Sequence, residues 1–147
     1  MMTVSRVLRG APKVSAETRA RVQAEAKRLT DLANMQMAQL FYSAALAPKA
    51  EKRMVTVDRA KANDALKYWK KVEASSPFAT EAQWQRAWVE LALGDPKSAL
   101  ADAHAAATTA GFYGPEAEEL EATIKWGMDE KDAKKDGIEA LRAFIKK

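Results

Sequence analysis

The feature that most constrains this chain is a self-similarity at a spacing of 34 residues. Ala65 and Ala99 stand in this relation, as do Leu66 and Leu100, Trp69 and Ala103, Val72 and Ala106, and Pro77 and Gly111. A period of this length accommodates a pair of short helices with their turns. Such a unit buries its apolar face only against a neighbour, so the spacing predicts stacked helical hairpins. No segment shows the apolar–polar alternation between turn signals that marks paired strands.

Helix punctuation divides the rest of the chain. Gly10-Ala11-Pro12 breaks a short first segment, Thr3 to Arg9. Ser15 is placed to cap a helix, with Glu17 in its first turn favouring the helix dipole. That helix is expected to run to about Leu46, with Val22, Leu29, Leu32, Met37, Leu40, Phe41 and Ala44 as its apolar face and a possible restart at Thr30-Asp31. Ala47 to Arg53, with Pro48, reads as a loop. A second helix begins near Thr56 or Asp58, aligns Ala62, Ala65, Leu66, Trp69 and Val72, and stops at Ser75-Ser76-Pro77. Thr80 and Gln83 have capping-box spacing and open a third, which ends at Gly94. Asp95 caps the fourth, with Pro96 in its first turn, and Gly111 closes it. Gly114-Pro115 opens a fifth, closed by Gly127. Asp129 or Asp132 opens the last, with Ile138, Leu141, Phe144 and Ile145 as its apolar stripe. The expectation is an all-α array of about six helices, packed as antiparallel hairpins in a single domain over residues 15–147, preceded by a basic arm over 1–14.

At this level the chain resembles a tetratricopeptide repeat. Ala65, Trp69, Val72 and Pro77 supply the small, large, small, proline order of the second helix of that family's unit. Ala99, Ala103, Ala106 and Gly111 supply a degenerate copy, and Gly94-Asp95-Pro96 is similar to its inter-helix turn. Pentatricopeptide repeats are resembled almost equally. Gln83, Arg86 and Glu90 depart from the pattern, standing where the family has large apolar residues. The resemblance implies a binding array in which the first helix of each pair lines a concave groove. It thereby makes Trp84, Trp88 and Leu91 candidate protein-binding residues, tryptophan being a frequent interface anchor. A rotated helix would instead bury both tryptophans in the core.

The charge is unevenly spread. Residues 1–29 carry seven basic side chains against two acids, whereas the remainder carries 17 against 18. Such an arm suits nucleic acid, an anionic membrane or an acidic protein face. Its first sixteen residues contain no acid and mix Thr3, Ser5, Arg6, Arg9, Lys13 and Ser15 with Val4, Val7 and Leu8, a presequence-like composition. Residues 3–22, from Thr-Val-Ser-Arg-Val-Leu through Val-Ser-Ala-Glu-Thr-Arg, also resemble the DNA-binding headpiece of LacI-type repressors. The match runs from the recognition helix into the third helix and, more weakly, to the hinge region near Asn34 and Leu40. The resemblance implies that Arg6 approaches a base edge, that Thr3 and Ser5 approach phosphates, and that Arg9 is a further nucleic-acid contact. Arg9 replaces that family's usual asparagine, Ala38 replaces its hinge arginine, and no sugar-binding domain follows.

Catalytic constellations are not legible. With no cysteine, thiolate nucleophiles and zinc–sulfur sites are excluded. His104 is the single histidine and has no motif around it. Glu116, Glu118, Glu119 and Glu121 suit a helix N-terminus and lack the calcium-loop pattern. No phosphate-cradling glycine loop occurs. No run reaches the roughly 18–20 apolar residues of a bilayer span, and the opening residues lack the apolar core of a secretory leader. The expectation is a soluble intracellular protein, of the bacterial cytoplasm or, in a eukaryote, the mitochondrial matrix. It is expected to act as a non-enzymatic adaptor or accessory subunit of a larger protein assembly, with no cofactor or metal. The alternatives are a DNA-binding regulator using the arm and a pentatricopeptide-type RNA-binding module. The slightly acidic repeat region speaks against RNA.

Overall fold

The computed structural model describes residues 14–46, 57–128 and 131–146, all helices and turns with no strand among them. In chain order the helices are α1 (Ala16–Ala45), α2 (Arg59–Trp69), α3 (Ala79–Ala92), α4 (Pro96–Thr108), α5 (Gly114–Gly127) and α6 (Lys131–Ile145). Each helix packs chiefly on the one that follows it, and the seam between α2 and α3 is the thinnest. The expected break at Gly10-Ala11-Pro12, the loop from Ala47 to Arg53, and Thr56 and Asp129 lie outside the described residues.

The caps explain where the helices begin. The Ser15 hydroxyl accepts the Thr18 amide at 3.1 Å, and the Asp58 carboxylate accepts those of Ala60 at 3.1 Å and Lys61 at 3.3 Å. Asp95 accepts from both the amide and the hydroxyl of Ser98, at 3.1 and 2.7 Å. Gly94 takes φ +81°, the left-handed conformation that costs glycine least. It lets the Asp95 amide reach back to the Glu90 carbonyl at 2.9 Å, closing α3 in a Schellman arrangement.

Four boundaries differ from expectation. α1 continues unbroken through Thr30-Asp31. α2 ends at Trp69, and buried Val72 follows it in a turn. α3 begins at Ala79 with Phe78 before it and no side-chain cap, so Thr80 and Gln83 form no capping box. Thr80 is instead buried, packed against Gly111. α4 ends at Thr108, three residues before that glycine.

The buried face of α1 differs in part: Phe41 of the expected stripe packs on the first apolar cluster and stacks on Tyr68. Asp31, Met35, Ala38 and Ala45 point inward, while Leu29, Met37 and Leu40 are 51%, 37% and 65% exposed. Both stripes have helical spacing, and α2 selects the one with the smaller residues. Close approach explains the choice: Ala38 and Ala45 meet Ala62 and Ala65, and Trp69 fills the space that this leaves. This first apolar cluster extends through Val72 to Ala82 and Val89 of α3. A second joins Ala87, Ala99, Ala103, Leu120 and Ile124 across α3, α4 and α5.

A charged layer separates the two clusters. Around α3 the faces follow in order. Ala82 and Val89 lie on the first cluster, then Arg86 and Glu90, then Ala87, Leu91 and Trp84 on the second, and Trp88 outward. Arg86 forms a two-pronged ion pair with Asp102 of α4, its Nε 2.7 Å from Oδ2. Glu90, only 4% exposed, receives Lys70 from the end of α2 at 3.7 Å. Two of the polar residues that depart from the expected pattern, Arg86 and Glu90, thus face opposite charges from outside α3, while the Gln83 carbonyl oxygen and one Glu90 carboxylate oxygen are buried without a hydrogen-bond partner.

Candidate functional site

The candidate site lies on the outer side of α3, where its residues share a cleft with residues of α5. Ala99, Ala103 and Ala106 of α4 are fully buried, and their small side chains let α3 and α5 pack closely on that helix. Between them runs a cleft of about 220 Å³ lined by Trp84, Trp88, Glu116, Glu119, Leu120 and Thr123.

The aromatic rings form a chain. Trp84 stacks on Tyr113 with centroids 4.9 Å apart and planes 24° from parallel. Trp88 meets Trp84 edge to face, at 6.4 Å and 85°, and Phe112 meets Tyr113 likewise at 5.2 Å. Trp84 is half-buried against the second cluster, whereas Trp88 is 43% and Phe112 82% exposed. An outward ring is therefore braced by an inner one, which restricts its motion.

The electrostatics of the cleft are one-sided. Glu116 and Glu119 are exposed on α5 at helical spacing. On α5, Glu121 takes His104 at 3.2 Å and Lys125 at 2.8 Å. Burial raises the Glu81 carboxyl above its ordinary range. The Tyr113 phenol is also raised, first by burial and then by the carboxylates of Glu81 and Glu116.

Of the residues singled out in the sequence, the fold brings Trp84 and Trp88 together at the cleft. It places Leu91 apart, in the second cluster. Thr3, Ser5, Arg6 and Arg9 lie outside the described residues. Tyr113, Phe112, Glu116 and Glu119 were not legible as site residues. Their only local signal is an aromatic pair between Gly111 and Gly114, beside a helix start whose acids have a sufficient explanation in the dipole. Among the described residues no group of His, Cys, Asp and Glu is arranged to hold a metal ion, and no helix is long and apolar enough to cross a membrane.

The family model for bacterial regulatory proteins of the lacI family matches residues 1–30, which takes in the basic arm and the first half of α1. No curated protein and no solved structure matches the chain.

Proposed function

We propose that this chain is a non-catalytic binding protein, an adaptor or accessory subunit of a larger protein assembly, which docks a partner polypeptide on the cleft between α3 and α5. The observation that carries this reading is Trp88, 43% exposed on a helix whose other faces are fixed by two apolar clusters and a charged layer. A braced, exposed indole loses little freedom on binding, and tryptophan is enriched among residues that dominate interface energies. The test is affinity capture of the full chain from nuclease-treated extract, wild type beside Trp88→Ala. The expected result is a set of proteins that survives nuclease and is depleted by the substitution. A set indifferent to Trp88, or lost with nuclease, overturns the reading.

A second reading, favoured by the match to the lacI family over residues 1–30, is a DNA-binding regulator. In it the arm engages DNA through Arg6, Arg9, Thr3 and Ser5, and the helical array carries other contacts. Phosphate contacts release counterions, so this reading expects duplex affinity to fall steeply with added salt. It also expects that affinity to vanish when residues 1–14 are removed, and fluorescence anisotropy on a labelled duplex measures both.

A further inference from the structure

We infer that the cleft between α3 and α5 is a cation pocket that receives an arginine side chain from the partner polypeptide. This rests on the protein-binding reading above and names the chemistry recognised.

Three observations converge. The indoles of Trp84 and Trp88 stand edge to face at 85°, and both line the cleft. Aromatic faces attract cations through the ring quadrupole, and indole does so best. The facing wall carries Glu116 and Glu119, and among the described residues neither is in an ion pair. The neighbouring bases, His104 and Lys125, are committed to Glu121. No lysine, arginine or histidine lines the cleft.

The alternatives fit less well. A purely apolar anchor would cover two carboxylates and leave them without a partner, which is costly. A phosphate or nucleic-acid segment would meet two negative charges. A cleft of about 220 Å³ is below the usual size of a small-molecule site, roughly 300–1,000 Å³, and suits a single long side chain. Guanidinium matches both surfaces at once, since its plane stacks on an indole while its fork meets a carboxylate. Phe112, 82% exposed, and Tyr113 continue the aromatic surface beyond the cleft. That continuation gives the residues flanking such an arginine somewhere to lie, which a free amine would not use.

The probe is N-acetyl-arginine amide, titrated into the full chain with the four tryptophan indole N–H signals followed by NMR. Its neutral isostere, N-acetyl-citrulline amide, is the control. Trp84 and Trp88 are expected to shift with the arginine probe at millimolar concentration, while fully buried Trp69 and outlying Trp126 stay in place. Citrulline should give less than a fifth of that shift. The double substitution Glu116→Gln and Glu119→Gln, at exposed positions that leave the core untouched, should abolish it. Equal shifts with citrulline, no shift, or uniform movement of all four indoles overturns the inference. Partner capture then separates the two readings. If Trp88→Ala removes the partner and the glutamine pair does not, the cation pocket fails and protein binding stands. If neither matters, both fail.

Discussion

Arg86 of α3 holds both carboxylate oxygens of Asp102 in α4, with its Nε 2.7 Å from Oδ2. The side chains are 20% and 12% exposed, so the pair sits largely out of water. Removing one partner from such a pair leaves a desolvated charge behind. Asp102→Ala is expected to cost about 2 kcal/mol, since solvent still screens part of the pair. Pairing it with Arg86→Met should recover most of that loss. Urea midpoints of the two variants check this, and a double variant no better than the single one contradicts it.

Glu90 makes the same layer sensitive to acid. Its carboxyl is pushed from the ordinary 4.5 up to about 7, first by burial and then by the neighbouring Asp102 carboxylate. The folded chain therefore holds this proton more tightly than the unfolded chain does. The stabilisation is fully present below pH 4.5 and is lost as pH rises, with the loss complete once pH passes about 7. Glu90→Gln, which mimics the protonated form, should match the wild type near pH 4.5 and exceed it at pH 8 by on the order of 2 kcal/mol. Urea titrations of both proteins across that window decide the matter. A wild type whose stability rises over the same interval by a Glu90-dependent amount would have the sign reversed.

Gly137 of α6 is expected to resist substitution. A Cβ there would come 2.5 Å from the Trp126 backbone nitrogen and 2.9 Å from the Lys125 carbonyl carbon. Alanine improves helix propensity by about 1 kcal/mol. Overpacking against atoms that cannot swing aside costs about 1–3 kcal/mol, and the second effect should win. Gly137→Ala should lower the melting temperature and speed amide exchange in α6. A more stable variant would show that α6 does not lie this close to α5.

The two stripes of α1 offer a direct comparison. Met35 is buried against α2 and Leu40 is 65% exposed on the far side. Met35→Ala should cost about 2–4 kcal/mol, and Leu40→Ala should stay within about 0.5 kcal/mol. Similar costs at the two positions would mean that the outer stripe is covered. Thermal melts across a range of protein concentrations would then reveal whether a second copy covers it.

How much of this was readable beforehand depended on the range of the interaction. Ser15, Asp58, Gly94, Asp95 and Pro96 act on their own turns, and each marks a helix boundary where local chemistry placed it. The choice of face on α1 was not readable. Leu29-Leu40 and Met35-Ala38 both repeat at helical intervals, and only the shape of α2 distinguishes them. The same holds for the cleft. Trp84 and Trp88 are one turn apart in sequence, but Glu116 and Glu119 share a cleft with them only through the packing of α3, α4 and α5 around the second cluster. Gln83, Arg86 and Glu90 looked like departures from a repeat, and the partners that explain two of them, Lys70 and Asp102, lie on other helices.

The charged layer across α3 has a consequence for how the molecule comes apart. An apolar interior transmits strain because every contact depends on its neighbours, and a seam of ion pairs interrupts that dependence. The α1–α2 side and the α4–α6 side are therefore expected to behave as two cooperative units joined at α3, like adjacent links in a repeat chain. Heat or denaturant should release protons and expose amides in two waves, and the boundary between them should fall on the helix that carries Arg86 and Glu90.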